Sequence, residues 1–228
     1  MSKRRGIFIT FEGPEGAGKS TQLRILADRL RSLGHDVLET QEPGGTPVGK
    51  QIRQILLDGR NQELSATAEL LLMFASRAQN VDQWILPALS AGKIVLCDRF
   101  TDSTLAYQGA ARGLGSEVVY ELDRIACRGL TPALTLLFDI DPKLGLERAR
   151  ARNSSQVASE TRFDDYDLAF HRKVRDAFQQ LATDEQTRIA VVDSDRGLEE
   201  ISGDVWARVT ALLERFGHSF APASNPDC

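Results

Sequence analysis

Gly13-Pro14-Glu15-Gly16-Ala17-Gly18-Lys19-Ser20 lies between a short apolar run, Ile7 to Glu12 (IFITFE), and a segment with Leu23, Leu26, Leu30 and Leu33 at helical spacing. The eight residues have the form G-x-x-x-x-G-K-S/T, which carries meaning only with a strand before it and a helix after it. Both conditions hold: the preceding run is β-branched and aromatic, and Gly34 stands where the following helix should stop. Glycines here let the backbone wrap closely around phosphate oxygens with its amides turned inward, and the helix start adds its positive end. Gly13 to Thr21 is therefore expected to hold the phosphates of a nucleoside triphosphate, with Lys19 on the β- and γ-phosphates and the Ser20 hydroxyl on Mg²⁺.

Outward from this stretch, strands and helices alternate. Val37 to Thr40 reads as a strand, Val48 to Leu57 as a helix, and Ala66 to Ser90 as a long helix bent near Pro87. Lys93 to Cys97 reads as a strand ending at Asp98, Ser116 to Cys127 as a helix, and Leu134 to Ile140 as a strand with Pro142 opening the next helix. Asn153 to Ser159 (NSSQVAS) is small and polar and is expected to be a mobile loop. Asp167 to Ala182 is a helix, Ile189 to Asp193 a fifth strand, Leu198 to Phe216 a last helix, and the tail at about 217–228 is expected to fray. Strands separated by helices imply right-handed βαβ units. The expectation is one α/β domain over residues 1–228, a P-loop NTPase-type three-layer αβα arrangement with a five-stranded parallel sheet. Ligands of such sheets sit at the carboxyl ends of the strands, where Gly13 to Ser20, Glu42 to Thr46 and Asp98 to Gln108 all fall. Asp98 is placed to hold Mg²⁺; the alternative is a helix N-cap or a partner for Arg99.

A net charge of −4 gives no global basic field, so no nucleic acid partner is expected. Cys97, Cys127 and Cys228 are odd in number and far apart, which fits small buried hydrophobes and a tail residue rather than a disulfide or zinc pattern. No apolar stretch approaches bilayer length, and Met1 to Arg5 leads into only a short apolar run, so neither membrane nor signal peptide is expected and the cytoplasm is the default.

A phosphate loop alone fits a switch GTPase, a motor-type ATPase or a small-molecule kinase. The chain has no Asn-Lys-x-Asp guanine reader and no Asp-x-x-Gly switch segment. It does have arginines suited to an anionic acceptor: Arg53, Arg77 and Arg99. Five segments occur in order: FEGPEGAGKST (Phe11 to Thr21), EPGGT (Glu42 to Thr46), AELLLMFASRAQ (Ala68 to Gln79), DRFTDSTLAYQG (Asp98 to Gly109) and LERARAR (Leu146 to Arg152). On these the chain resembles the thymidylate kinases, nucleoside monophosphate kinases that make dTDP from dTMP. The resemblance implies ATP as donor, dTMP as acceptor, Mg²⁺ as cofactor, a role in dTTP biosynthesis and a homodimer, for which the long helix is a candidate contact. It further implies that Arg53 and Arg99 hold the acceptor phosphate and that Arg77 meets the thymine edge. Glu15 would contact the sugar 3′-hydroxyl, and Glu42 with Pro43 would lie beside the sugar and phosphate. Thr104 and Gln108 would read the pyrimidine, and Tyr107 would crowd a 2′-hydroxyl. These three are spaced to share a helical face.

Two positions depart from the family pattern. Gln41 stands where an arginine usually precedes EPGG, and Met73 stands where a thymine-stacking phenylalanine is usual, with Phe74 next to it. Either could reach the ring; Phe74 is favoured for its flat π-surface. The loop itself holds no arginine, so the catalytic cation is expected from a lid at about 148–163. Arg152 comes first and Arg148 second, because they share a helical face from which Arg150 points away. The rival reading is a kinase for dUMP, dCMP or a purine monophosphate.

Overall fold

The structure is a computed structural model that describes residues 6–153 and 162–217, without the side chains of Arg152 and Asn153. The expectations for most of the Asn153 to Ser159 loop, for the tail beyond Gly217 and for Cys228 thus lie outside the described residues.

The five strands are β1 (Ile7–Glu12), β2 (Val37–Gln41), β3 (Ile94–Asp98), β4 (Leu134–Asp139) and β5 (Ile189–Asp193). All pairings are parallel and the order is β2-β3-β1-β4-β5. The helices are α1 (Lys19–Ser32), α2 (Pro47–Leu57), α3 (Ala66–Asn80), α4 (Leu86–Ser90), α5 (Thr101–Thr104), α6 (Ser116–Cys127), α7 (Pro142–Asn153), α8 (Leu168–Asp184) and α9 (Leu198–Arg215).

Every residue of β1 is buried, which is why its sequence runs apolar instead of alternating. Ile7, Ile9 and Phe11 face one layer, formed with Leu23, Leu26 and Leu30 of α1 and Val205, Val209 and Leu213 of α9. Phe8 points the other way, into a layer with Leu70 and Phe74 of α3 and Val119 of α6. Cys97 and Cys127 are buried and free, as small apolar residues would be.

The run from Ala66 to Ser90 is helical throughout but irregular just before Pro87, where Val81–Ile85 widens into a π-turn and Leu86 N–H donates to the Val81 carbonyl five residues back. Proline has no N–H and its ring crowds the carbonyl one turn earlier, so the wider turn absorbs the misfit. The segment after β3 differs from the sequence expectation in the same way: α5 passes into a π-turn at Leu105–Ala111, with Arg112 N–H on the Tyr107 carbonyl at 2.8 Å.

The strand order puts β3 between β1 and β2, so three strand ends lie side by side and carry the phosphate loop, Glu42-Pro43 and Asp98-Arg99. The loop is also braced from α7. A Cβ on Gly16, whose φ is +68°, would lie 2.0 Å from the Gly145 carbonyl, and a Cβ on Gly145 would lie 2.4 Å from the Glu15 carbonyl. Only glycine permits backbone to meet backbone this closely.

Gly145→Ala should therefore lose about 1–3 kcal/mol of stability by overpacking, although Gly to Ala within a helix ordinarily gains up to about 1 kcal/mol. Gly203→Ala, in α9 with open space around it, should show that ordinary gain. Urea unfolding of the two variants distinguishes the cases.

Candidate active site

The phosphate loop is organised around Lys19 and Arg99. Lys19 is buried, and its Nζ donates to the carbonyls of Gly13 at 2.9 Å and Pro14 at 2.6 Å. Burial, with Arg99 nearby, pushes Lys19 down to about 8, against the pull of Asp98, Glu15 and Glu12. The Ser20 hydroxyl donates to Asp98 Oδ2, so the first turn of α1 and the end of β3 present two hard oxygen donors together.

Arg99 follows β3 in the left-handed region, at φ 67°, which a bulky residue adopts only when its surroundings demand it. Its N–H donates to the Phe11 carbonyl at 2.9 Å. Its guanidinium donates to the Gly13 carbonyl and Ser103 Oγ, each at 3.0 Å, and to Glu15 Oε1 at 3.2 Å. Glu15 also accepts from the Tyr107 hydroxyl at 2.6 Å, and His171 Nδ1 of α8 lies 3.5 Å away. Burial opposes ionisation of Glu15, but Arg99, His171, Lys19 and Tyr107 together hold it well below the usual carboxylate range. Burial and the negative Glu15 push the Tyr107 phenol well up despite Arg99, so it stays a donor.

These groups open onto a cleft of about 440 Å³, a volume in the range of small-molecule sites. Its walls bring together Glu15 to Thr21 of the loop, Glu42, Pro43, Arg53, Arg77, Asp98, Arg99, Thr104, Tyr107 and Gln108. Gly13 and Pro14 stand behind this lining, with their carbonyls turned to Lys19. Arg53 donates to the Pro43 carbonyl at 3.1 Å, which ties α2 to the end of β2. The Arg77 guanidinium sits between the Phe74 and Phe100 rings, 4.8 and 5.1 Å from their centroids, and donates to Thr104 Oγ1 at 2.8 Å and the Phe100 carbonyl at 3.1 Å. Gln41 lines the cleft near Gly44.

Two of the expected site residues do not line the cleft. Phe74 does not face the cleft: it is buried against the sheet with Phe8 and Val95, and Met73 stands on the cleft wall instead. Adjacent residues of a helix point about 100° apart, so Phe74 falls with Leu70 on the face turned to the sheet, while Met73 packs with Leu56, Ala106 and Tyr107. Arg148 does not line the cleft either. Its guanidinium donates to the Ser194 carbonyl at 3.0 Å and lies 3.5 Å from Asp195, held by the β5–α9 turn. The Arg152 side chain lies outside the described residues.

The sequence reading missed several residues. Phe163 and Asp164 line the cleft from the segment before α8, and Leu57, Ser103 and Arg24 complete it. Glu12, the last residue of β1, accepts from Phe100 N–H at 2.6 Å and from Ser103 Oγ, and so supports the turn that carries Arg99. A charged residue ending an otherwise apolar strand was the available signal for Glu12; Phe163, Asp164 and His171 had none, because only the tertiary fold brings α8 to the loop.

The family model for thymidylate kinase matches residues 11–205. The chain belongs to the thymidylate kinase family. It is 51% identical over 205 residues to the thymidylate kinase of Pelobacter propionicus, covering 90% of this chain and 94% of that one. It is 53% identical over 207 residues to that of Syntrophotalea carbinolica, covering 90% and 96%. The crystal structure of thymidylate kinase from Ehrlichia chaffeensis superposes with a TM-score of 0.73 at 30% identity, over 90% of this chain and 99% of that one. As a thymidylate kinase family member the chain is a nucleotide-binding phosphotransferase. No described helix is long and apolar enough to cross a membrane.

Glu42 is one of the incompletely paired groups at this thymidylate kinase site, with Arg77 and His171. It is buried; Oε1 accepts from Asn80 Nδ2 at 2.6 Å, while Oε2 has no hydrogen-bond partner. Burial pushes its carboxyl up to about 7 despite Arg77 and Asn80. Burial, with the nearby Asp102, pushes Glu12 up to about 7 as well. An acid with a raised folded value holds its proton more tightly when folded than unfolded. Stability should thus fall as pH rises from about 4.5, the ordinary carboxyl value, to about 7. Glu42→Gln should flatten part of that fall and gain stability at pH 7.5 relative to pH 5, as read by urea unfolding at the two pH values.

Proposed function

We propose that the chain transfers the γ-phosphoryl group of ATP to dTMP, forming ADP and dTDP on the route to dTTP. The observation that carries this is a single cleft in which the phosphate loop meets a second, arginine-bearing subsite, with Arg99 hydrogen-bonded to the loop and standing between the two. A lone triphosphate site would not need Arg53, Arg77 and Arg99 around an adjoining polar pocket.

Transfer is in-line: an oxygen of the acceptor phosphate attacks the γ-phosphorus, the bond to the β,γ-bridging oxygen breaks, and ADP leaves. No general base is required, because the attacking phosphate oxygen is already anionic. Lys19 exchanges its loop carbonyls for the donor phosphates. Arg99 and Arg53 hold the acceptor phosphate, and Glu15 and Tyr107 address the sugar, with Tyr107 limiting room at its 2′ position. Arg77, Thr104 and Gln108 meet the base, and Met73, not Phe74, contributes the apolar contact. Arg152 supplies the cation at the transferring group that the loop lacks. Ser20 and Asp98 suit Mg²⁺, which takes one or two protein oxygens and completes its shell with phosphate and water. When bound, the ion would neutralise charge on the β- and γ-phosphates. We further assign a homodimer: α2 and α3 leave Val48, Ile55 and Leu71 exposed on adjoining helices, an apolar surface that a second copy would cover.

A coupled ADP-release assay over the common monophosphates should show turnover of dTMP and none of GMP; the reverse would overturn the reading. Arg99→Ala should lower kcat/KM for dTMP by about 10²–10³. Arg152→Ala should lower kcat by about 10³ while KM for dTMP shifts only a few fold, and unchanged turnover would remove Arg152 from the mechanism. Sedimentation equilibrium should give twice the 25.1 kDa chain mass.

A further inference from the structure

Glu69 lies in the first turn of α3, fully buried, where an isolated carboxylate would be costly. Both of its oxygens are engaged. Oε1 accepts from Gln108 Nε2 at 2.8 Å, and Oε2 accepts from Arg162 Nη2 at 2.6 Å, with Arg112 Nη2 at 3.6 Å. Arg162 is equally buried and cannot swing away, because its Nε donates to the Asn61 carbonyl at 3.1 Å and its Nη1 to the Leu56 carbonyl at 3.2 Å. Glu69 itself is not part of the cleft wall; Gln108 is.

We propose that Glu69, backed by Arg162, is a positioning residue for base specificity: it locks the Gln108 side-chain amide with its oxygen toward the cleft. This rests on the reading of the site as a pyrimidine monophosphate site. A carboxylate paired with a guanidinium only accepts hydrogen bonds, so of the two ends of the Gln108 amide only the NH₂ can face it. Turning the amide over would press two oxygens together where water cannot intervene. The amide oxygen is therefore the group left for a ligand. On the same cleft wall stands Arg77, which can only donate and is held by the Phe100 carbonyl and by Thr104, one turn before Gln108. An acceptor next to a donor complements the N3–H and O4 of a uracil or thymine ring. Cytosine offers the opposite pair, an acceptor at N3 and a donor at N4, and mismatches both. Glu69 thus acts at one remove from the substrate, deciding which pyrimidine edge the cleft accepts.

The test is the ratio of kcat/KM for dTMP, dUMP and dCMP in the wild type, Glu69→Gln, Gln108→Met and the double variant. Glu69→Gln presents an amide that can donate or accept, so Gln108 is free to turn. The dTMP:dCMP ratio should fall about tenfold or more, while dTMP:dUMP, which shares the N3–H and O4 edge, stays constant. In the Gln108→Met background the same Glu69→Gln change should leave the dTMP:dCMP ratio where it is. Glu69→Asp keeps a charge beside Arg162 while drawing the oxygen away from Gln108, and it carries the test if loss of the ion pair prevents Glu69→Gln from folding. An unchanged dTMP:dCMP ratio in a folded Glu69 variant overturns the proposal, as would equal loss against all three substrates. A wild type that discriminates dTMP from dCMP keeps that failure separate from failure of the functional reading; a wild type that does not turn over dTMP sinks both.

Discussion

Arg99 ties the phosphate loop to the end of β3, and the rest of the site is arranged around that tie. Its guanidinium bonds the Gly13 carbonyl, Ser103 and Glu15, and its backbone is held in a left-handed conformation by the Phe11 carbonyl. A cation this far withdrawn from solvent, with only 21% of its side chain exposed, draws acceptors around it. Glu15 therefore turns inward from the loop, Tyr107 and His171 are drawn to Glu15, and Glu12 secures the turn after Arg99. One charge in this way sets the orientation of side chains from β1, the loop, the π-turn after α5, and α8.

The same charges explain the polarity of the site. Lys19 fills its own loop, donating to the carbonyls on which the phosphates would turn their backs, and burial lowers its hold on the proton. Glu42 retains an unpartnered oxygen. Such groups are held at a loss by the folded chain and are relieved by a ligand of complementary charge, which is the usual relation between stability and function in a binding site.

Much of this fold was legible because β1, β3, β4 and β5 were short, largely apolar runs ending in a carboxylate, and because the phosphate loop fixed where the first strand ended. The phosphate loop and Asp98 could be read from local spacing, whereas Arg99, Thr104, Tyr107 and Gln108 were singled out by the family resemblance; all of them except Gly13 and Pro14 of the loop line the cleft. What escaped was set by tertiary phase. Met73 and Phe74 are adjacent, and only the way α3 lies on the sheet decides which one meets the cleft. Arg148 had the right spacing for a catalytic cation, but the β5–α9 turn, 46 residues on, captures it. Glu69 with Arg162, 93 residues apart, and Glu15 with His171 are brought together only by the tertiary fold, and no periodicity foretells them.

The meeting of Gly16 and Gly145 has a mechanical consequence. With no side chain between them, the two backbones meet directly, close to the start of α7. Backbone against backbone leaves no rotamer to yield, so the loop at Gly16 cannot shift without pressing on α7. From Gly145 to Asn153 that helix extends about 12 Å at its regular rise, which sets how far from the loop the attachment point of Arg152 is held.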